Sequence, residues 1–505
     1  MKTIVGICVF FLSIFSLHTL WAHDRYLEGF EDRVTELQLE NGLTFLVIER
    51  HEAPVASFVT LVKAGGVDEE SGKTGLAHLL EHMAFKGTKT IGTKDWEKEH
   101  KVLKQLDQTH RHMRELRQIP ESNSTELNNV AAQFKDLQKK ARALIKPNEF
   151  ARIIERNGGV NLNAGTSADY TIYFCSLPAN RAELWFSLES DRLQNPVWRE
   201  FYTEKDVVLE ERRMRVESDP SGRLIERLLA LSYVAHPYRD PVIGWRSDIE
   251  ALTKEDLTTF YTRYYVPENM VVAIAGDVFP DQIQKWARTY FGKMKDKPLV
   301  RKSMTTEPEQ RGPRSFFLQE DNPPIFVRAY HTVKATHPDT PDFDLLGDIL
   351  SNGRTSRLYS RLVVDKKLAS NIFAMNGYPG QRYPSLFFIY ALPQRDVTLE
   401  RLIAGLDEEL EWIQTQKVSD EVLQRAQTKA RADLIRSLDS NLGLAKALAK
   451  AELLQGDWRK VFTYLDDLNK VTAKDVQKVA QKYFTQENCT QGEINERNHK
   501  EPEDK

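Results

Sequence analysis

The chain has 505 residues, too long for one ordinary domain and enough for two to four. Its 41% hydrophobic and 28% charged content is that of a folded globular protein, and with a formal net charge of −3 no basic bias argues for nucleic acid. Three cysteines, Cys8, Cys175 and Cys489, are too few for a disulfide framework.

Residues 1–22, MKTIVGICVFFLSIFSLHTLWA, start with Lys2, continue in an apolar run from Ile4 to about Leu17 and end on the small Ala22. This is the pattern of a secretory signal peptide, and it points to export with cleavage rather than retention as an anchor. No later segment is apolar enough to span a membrane. Cys8 would leave with the leader, and Cys175, inside the strand-like TIYFCSL, reads as a small buried residue.

A first globular region is expected over 30–292. RVTELQLENGLTFLVIER reads as two strands around a turn at Asn41-Gly42, and VASFVTLVKAG as a third. Gly65-Gly66 and Ser71-Gly72 then break the chain before a helix containing HLLEH. Residues 94–146 differ in character. Trp96, Leu103, Leu106 and Met113 form one sparse apolar stripe, and Leu127, Val130, Phe134, Leu137, Ala141 and Leu144 form another. Two amphipathic helices make a helical hairpin with arms of roughly 30–40 Å. It reads as a solvated spacer with a modest seam; the sharper reading is an arm that grips a partner or shades a cleft. NGGVNLNAGTSADYTIYFCSL then gives a turn and strand, ELWFSLESDRLQNPVW and EKDVVLEERRMRVESD give helices, and NMVVAIAGDVF gives a buried strand.

Residues 293–315 carry Pro298, Pro308 and Pro313 and no apolar period, and are expected to be a linker. Over 316–490 the order of elements repeats. LLGDILSNG stands where LLEHMAFKG stood, so His78, Glu81 and His82 fall opposite Asp344, Gly347 and Asp348. The second half reads as a degenerate copy. Residues 491–505 are polar and are expected to be a disordered tail.

HLLEH places His78 and His82 one above the other on a helix face, with Glu81 beside them. Two such imidazoles can share one zinc, and the glutamate can take a proton from the attacking water. Five residues can also match by accident. A catalytic zinc wants a third protein ligand. EKDVVLEERRMRVE offers Glu204, Glu210, Glu211 and Glu217, of which Glu204 and Glu211 share a face, although a charged helix is more often a solvated surface.

GLAHLLEHMAFKGT, GGVNLNAGTSADYTIY, EKDVVLEERRM, HPYRDPVIGW and YVPENMVVAIAGDV together resemble the insulinase, pitrilysin and mitochondrial processing peptidase family of zinc metallopeptidases, in its bacterial two-domain type. The resemblance covers about 35–490, more weakly in the second half. It implies an α+β fold of two homologous sheet-plus-helices domains forming a clam shell. It implies one zinc per chain held by His78, His82 and Glu211, with Glu81 as catalytic base and Glu204 supporting the site. Asn163 and Ala164 match a strand edge that binds the substrate backbone. The 128 residues between His82 and Glu211 exceed the family's usual gap, and the hairpin at 94–146 accounts for the excess.

The second half departs from the family. RLYSRLVVDKKLASNI has Val363 and Ser370 where the resemblance places a substrate-contacting arginine and tyrosine. This implies the zinc-bearing subunit of a heterodimer whose zinc-less homologous partner supplies the missing pair. The expected activity is hydrolysis of peptides or unfolded segments, in a bacterial periplasm. The alternative is a non-catalytic core, scaffold or peptide-binding member of the same family.

Overall fold

The computed structural model describes residues 29–119, 124–300 and 303–496. The expected leader 1–22 and residues 497–505 of the expected tail lie outside them.

In the first half the strands are β1 (Val34–Gln38), β2 (Thr44–Glu49), β3 (Val55–Val62), β4 (Val160–Thr166), β5 (Thr171–Pro178) and β6 (Met270–Gly276). Its helices are α1 (Leu76–Met83), α2 (Trp96–Gln118), α3 (Ser124–Leu144), α4 (Glu149–Arg156), α5 (Ala182–Gln194), α6 (Phe201–Arg212), α7 (Pro220–Ser232), α8 (Arg246–Ala251), α9 (Lys254–Tyr264) and α10 (Pro280–Phe291). The second half has β7 (Arg314–Glu320), β8 (Ile325–His331), β9 (Ala369–Tyr378), β10 (Leu386–Pro393) and β11 (Cys489–Glu496). Its helices are α11 (Thr340–Ser351), α12 (Leu399–Thr415), α13 (Asp420–Asp439), α14 (Asn441–Gln455), α15 (Lys460–Lys470) and α16 (Ala473–Tyr483).

The duplication is plain in the sheets. The first runs β1-β2-β6-β3-β5-β4 and the second β7-β11-β8-β10-β9. Without β1 the two orders superpose strand for strand. The one parallel pair falls at the same place in each, β2 with β6 and β7 with β11. Helix α1 follows β3 as α11 follows β8, which supports the register of His78 with Asp344. The fold is α+β, with two homologous sheet-and-helix halves, as expected.

The tail expectation is corrected for residues 491–496. They lie in β11, between β7 and β8 in the second sheet, with Ile494 opposite Leu318 on one side and Ile325 on the other. Polar composition concealed the strand because only Thr490, Gly492 and Ile494 are buried, on alternate positions. A half-buried strand needs no more than that period of two. The proline-rich stretch is also tied down. Glu307 accepts from the backbone N–H groups of Val234, Ala235 and His236 at 2.8–2.9 Å, and β7 starts at Arg314.

Each sheet buries one face under helices of its own half and the other under a helix of the opposite half. Leu444, Ala445, Leu448 and Ala449 of α14 pack on Leu46, Ile48, Val59, Leu61, Ala273 and Ala275 of the first sheet. Reciprocally, Leu224, Leu228 and Leu229 of α7 pack on Val327, Ala329, Phe388 and Ile494 of the second. Polar contacts reinforce this exchange. Arg382 clasps both oxygens of Asp68 at 2.9 and 3.0 Å, and Asp169 accepts from the backbone N–H groups of Gln381 and Arg382 at 2.6 and 3.1 Å.

The hairpin of α2 and α3 is present but is more than a solvated spacer. His110 on α2 lies 5.5 Å from the ring of Phe134 on α3 and 4.3 Å from Tyr202 on α6. The Tyr202 hydroxyl donates to Asp107 at 3.1 Å, and Lys254 of α9 reaches the same carboxylate at 3.0 Å. Cys175 is buried, as expected, and Cys489 is half-buried.

Two tests follow from this packing. Leu448→Ala removes a fully buried side chain from the exchanged helix and should cost about 2–5 kcal/mol. Because each half covers the other, urea should unfold the variant in one earlier transition by fluorescence and by circular dichroism; two separated transitions would contradict the interlock. Burial among aromatic rings, aided by Lys205, Arg114 and Arg117, pushes His110 down to about 4 against Glu255. The unfolded chain therefore takes up a proton near pH 6.5 that the folded chain refuses. The stability His110 contributes is complete above that pH and is lost as pH falls toward 4. The melting-temperature advantage of wild type over His110→Gln should shrink between pH 7 and pH 5.

Candidate metal centre

The metal-site candidates sit on three elements that meet at the β4 edge of the first sheet. Helix α1 packs its Leu76, Ala77, Leu79, Leu80 and Met83 into the core shared with α5, α6 and the inner sheet face. That burial leaves the other face, with His78 buried and Glu81 and His82 half-buried, turned toward α6 and β4. The start of the helix is fixed tightly. Glu69 accepts from the exposed-end N–H groups of Gly75 and Ala77 at 2.8 and 2.7 Å. Gly75 has φ +87°, and a Cβ there would stand 2.7 Å from the Ile243 carbonyl, so only glycine fits.

Helix α6 packs beside α1 and brings Glu204 and Glu211 to the histidine-bearing face. Nε2 of His78 and Nε2 of His82 lie 3.6 and 3.3 Å from Oε2 of Glu211. The ligating atoms of the three residues all lie within 4.8 Å of one another. Two donor atoms each about 2.0–2.1 Å from one tetrahedral zinc are themselves about 3.3–3.4 Å apart. The donor set, two imidazoles and a carboxylate, suits a zinc ion, and the two His–Glu211 spacings lie near that value. Glu210 points away and pairs with Arg213, as its place on the helix predicts, and Glu217 pairs with Arg246 at 2.9 Å. After Arg212 the helix loosens into one turn of π-helix, Arg213–Glu217, and Arg215 from that turn holds the second oxygen of Glu211 at 3.0 Å.

The two histidines differ electrostatically. Burial pushes His78 down to about 4, against the pull of Glu211, so its ring is neutral at pH 7 and offers a lone pair. Its Nδ1 is buried and has no partner among the described residues. His82 is raised by its bond to Glu204, whose Oε2 stands 3.5 Å from Nδ1, and burial only partly opposes this. Burial by itself would raise Glu204, but His82 and Lys86 together hold its carboxyl below the ordinary value. Glu81 is raised by burial, even though Thr166 at the end of β4 donates its hydroxyl to Oε2 at 2.6 Å.

Asn163 and Ala164 lie on β4, which among the described residues pairs with β5 alone and so presents an open edge. The Ala164 N–H is covered by the Asn163 side chain, Oδ1 at 2.8 Å. A bulge between Val160 and Asn163, with Asn161 at φ +57°, bends the strand there. Sequence reading missed Thr166 and Lys86, although both lie inside quoted motifs, because neither has a spacing that marks it.

The corresponding place in the second half is closed by its own side chains. Asp344 accepts from Tyr464 and from Asn376 at 3.2 Å, and Asp348 accepts from Asn352 at 2.7 Å, beside Lys429. Val363 is half-buried in a π-helical turn, Tyr359–Asp365, and Ser370 is exposed at the start of β9.

The family model described as Insulinase (Peptidase family M16) matches residues 44–110, and the one described as Peptidase M16 inactive domain matches 251–430. The chain is 28% identical to zinc protease PqqE of Helicobacter pylori over 485 residues, covering 94% of this chain and 95% of that one. It is 25% identical to a probable mitochondrial-processing peptidase subunit beta of Schizosaccharomyces pombe, covering 88% and 87%. The crystal structure of a protease from Helicobacter pylori superposes with a TM-score of 0.77 at 27% identity, covering 91% of this chain and 99% of that one. With the two models of one family matched in order along the chain and the fold shared over 91% of it, the chain belongs to the insulinase family, peptidase family M16.

Proposed function

We propose that this chain is a zinc-dependent metalloendopeptidase acting on peptides or unfolded segments. The observation that carries this reading is the convergence of His78 Nε2 and His82 Nε2 on Glu211 Oε2, 3.6 and 3.3 Å away, on the helix face that also bears Glu81. His78, His82 and Glu211 would hold one zinc, which when bound lowers the pKa of a water to about 7. Glu81 then has two tasks. Its raised pKa suits it to accept a proton from the attacking water and to pass it to the leaving amine. Thr166 holds Oε2, which leaves Oε1 for that exchange. Glu204 keeps the proton of His82 on Nδ1 and so presents Nε2 as the donor. The substrate backbone would add to the β4 edge at Asn163 and Ala164, displacing the Asn163 side chain from the Ala164 N–H.

The chain would be the zinc-bearing subunit of a heterodimer, exported to a bacterial periplasm. A zinc-less homologous partner would supply the arginine and tyrosine that Val363 and Ser370 replace. Among the described residues no helix is long and apolar enough to cross a membrane. A non-catalytic core or scaffold role is the weaker reading. The match to an inactive-domain model falls mainly on the half that lacks the metal residues, while His78, Glu81, His82 and Glu211 all lie outside it.

Glu81→Gln should cut turnover of a quenched unstructured peptide by about 10²–10⁴-fold while zinc content stays unchanged. Retained turnover in a zinc-loaded variant would remove Glu81 from the base role. The isolated wild-type chain should hold about one zinc and turn over slowly, and a zinc-less homologue bearing the arginine–tyrosine pair should raise its rate. Full activity without a partner would overturn the two-subunit reading and leave the zinc reading intact.

A further inference from the structure

Lys86 lies just beyond α1, and its Nζ donates to Oε1 of Glu204. The other oxygen of that carboxylate faces Nδ1 of His82 at 3.5 Å, and Nε2 of His82 faces Glu211. A line of polar contacts thus runs from the Lys86 ammonium through Glu204 to one candidate ligand. His78 has nothing comparable, since its Nδ1 has no partner among the described residues. Orientation of the imidazoles by side-chain bonds is concentrated on His82.

The backbone of Lys86 is held from below. Arg199 Nη1 donates to the carbonyls of Lys86 at 2.7 Å and Ile91 at 3.1 Å, and Nη2 donates to that of Thr88 at 2.6 Å. A Cβ on Gly87 or Gly92 would stand 2.9 or 3.0 Å from the same guanidinium. Arg199 is completely buried, and so is its counter-charge, Glu99, whose Oε1 accepts from Nε at 2.8 Å. Glu99 belongs to the first turn of α2, at the root of the hairpin. Arg199 immediately precedes Glu200, which stands at the start of α6, so one guanidinium joins the Lys86 loop, the Glu204 helix and the hairpin.

We infer that Lys86 is a positioning residue for His82, acting through Glu204, and that the hairpin takes part in the metal site by supplying Glu99, which keeps Arg199 on the Lys86 loop. This rests on the reading of His78, His82 and Glu211 as zinc ligands. A buried ion pair is weak evidence for stability by itself, because desolvation offsets most of the attraction. What this pair does is fix three carbonyls whose loop carries the cation behind the ligand. Without Glu99 the guanidinium would be a buried unpaired charge, and the loop would move to release it.

The test is a competition titration of zinc against a chromophoric chelator on the full chain, with melting of the metal-free protein as the structural control. Lys86→Met should weaken zinc about 10–100-fold, the usual effect of losing an outer-shell partner, with little change in melting temperature. Lys86→Arg should recover most of the affinity. Glu99→Gln should weaken zinc as well, and the double variant should be no weaker than Lys86→Met, because both act through one line. Wild-type affinity in Lys86→Met, or losses that add in the double variant, would overturn the inference while leaving the zinc site standing. A wild-type chain that takes up no zinc would overturn the metal reading itself. Should Glu99→Gln fail to fold, the two Lys86 variants still decide the role of Lys86.

Discussion

The rest of the structure depends on a covering constraint. Strands β3 and β6 are buried along nearly their whole length, on both faces. A sheet of that kind cannot leave a side to water and must be covered twice. Helices from its own half supply one cover. The second comes from the other half, α14 over the first sheet and α7 over the second. The exchange follows the duplication: in each half the crossing helix comes directly after the one that flanks the metal-site position, α7 after α6 and α14 after α13. The halves fold as partners, and the β4 edge is set by a frame larger than one half.

The chemistry of the site follows from that frame. The open edge of β4, the histidine-bearing face of α1 and the facing side of α6 meet where the sheet ends. Burial there drives His78 to the neutral form and raises Glu81, while Glu204 and Arg215 act on His82 and Glu211 from outside. Groups of opposite need, a neutral donor and a basic carboxylate, come to lie on one helix face because their surroundings differ. The second half keeps the scaffold and fills the place with Asp344, Tyr464, Asn376 and Lys429, bonded to one another and to nearby backbone. Duplication with divergence reads here as one site kept open and one closed by hydrogen bonds.

The hairpin has two kinds of contact. Along its length it packs through His110 and Phe134 on Tyr202, two residues before Glu204. At its root it gives Glu99 to Arg199. A helical hairpin is held in place where it buries a charged group with its partner. This one buries a carboxylate whose partner stands next to the metal helices, so its root is fixed.

Much of this was legible in the chain itself. The HLLEH spacing and the seven-residue step from Glu204 to Glu211 are helix-periodic, and helix geometry is local, so the face each side chain shares follows from residue number. The hairpin, the β-rich runs and the repeated order of elements also rest on local periodicity. Strand β11 was hidden because a polar strand with three small or apolar inward residues has the composition of a tail, and only its neighbours β7 and β8 make it a strand. Thr166, Lys86 and Arg199 were hidden for the same reason: a hydroxyl, an ammonium and a guanidinium take their roles from residues about 85 to 120 positions away. The sequence determined which residues could share a helix face and which segments could be strands. Spacing left Glu204 and Glu211 as alternatives and the family resemblance implied Glu211; only the tertiary structure decided which half covered which sheet and which distant side chains stand behind the ligands, because long-range pairing depends on surfaces that exist only once both sheets have formed.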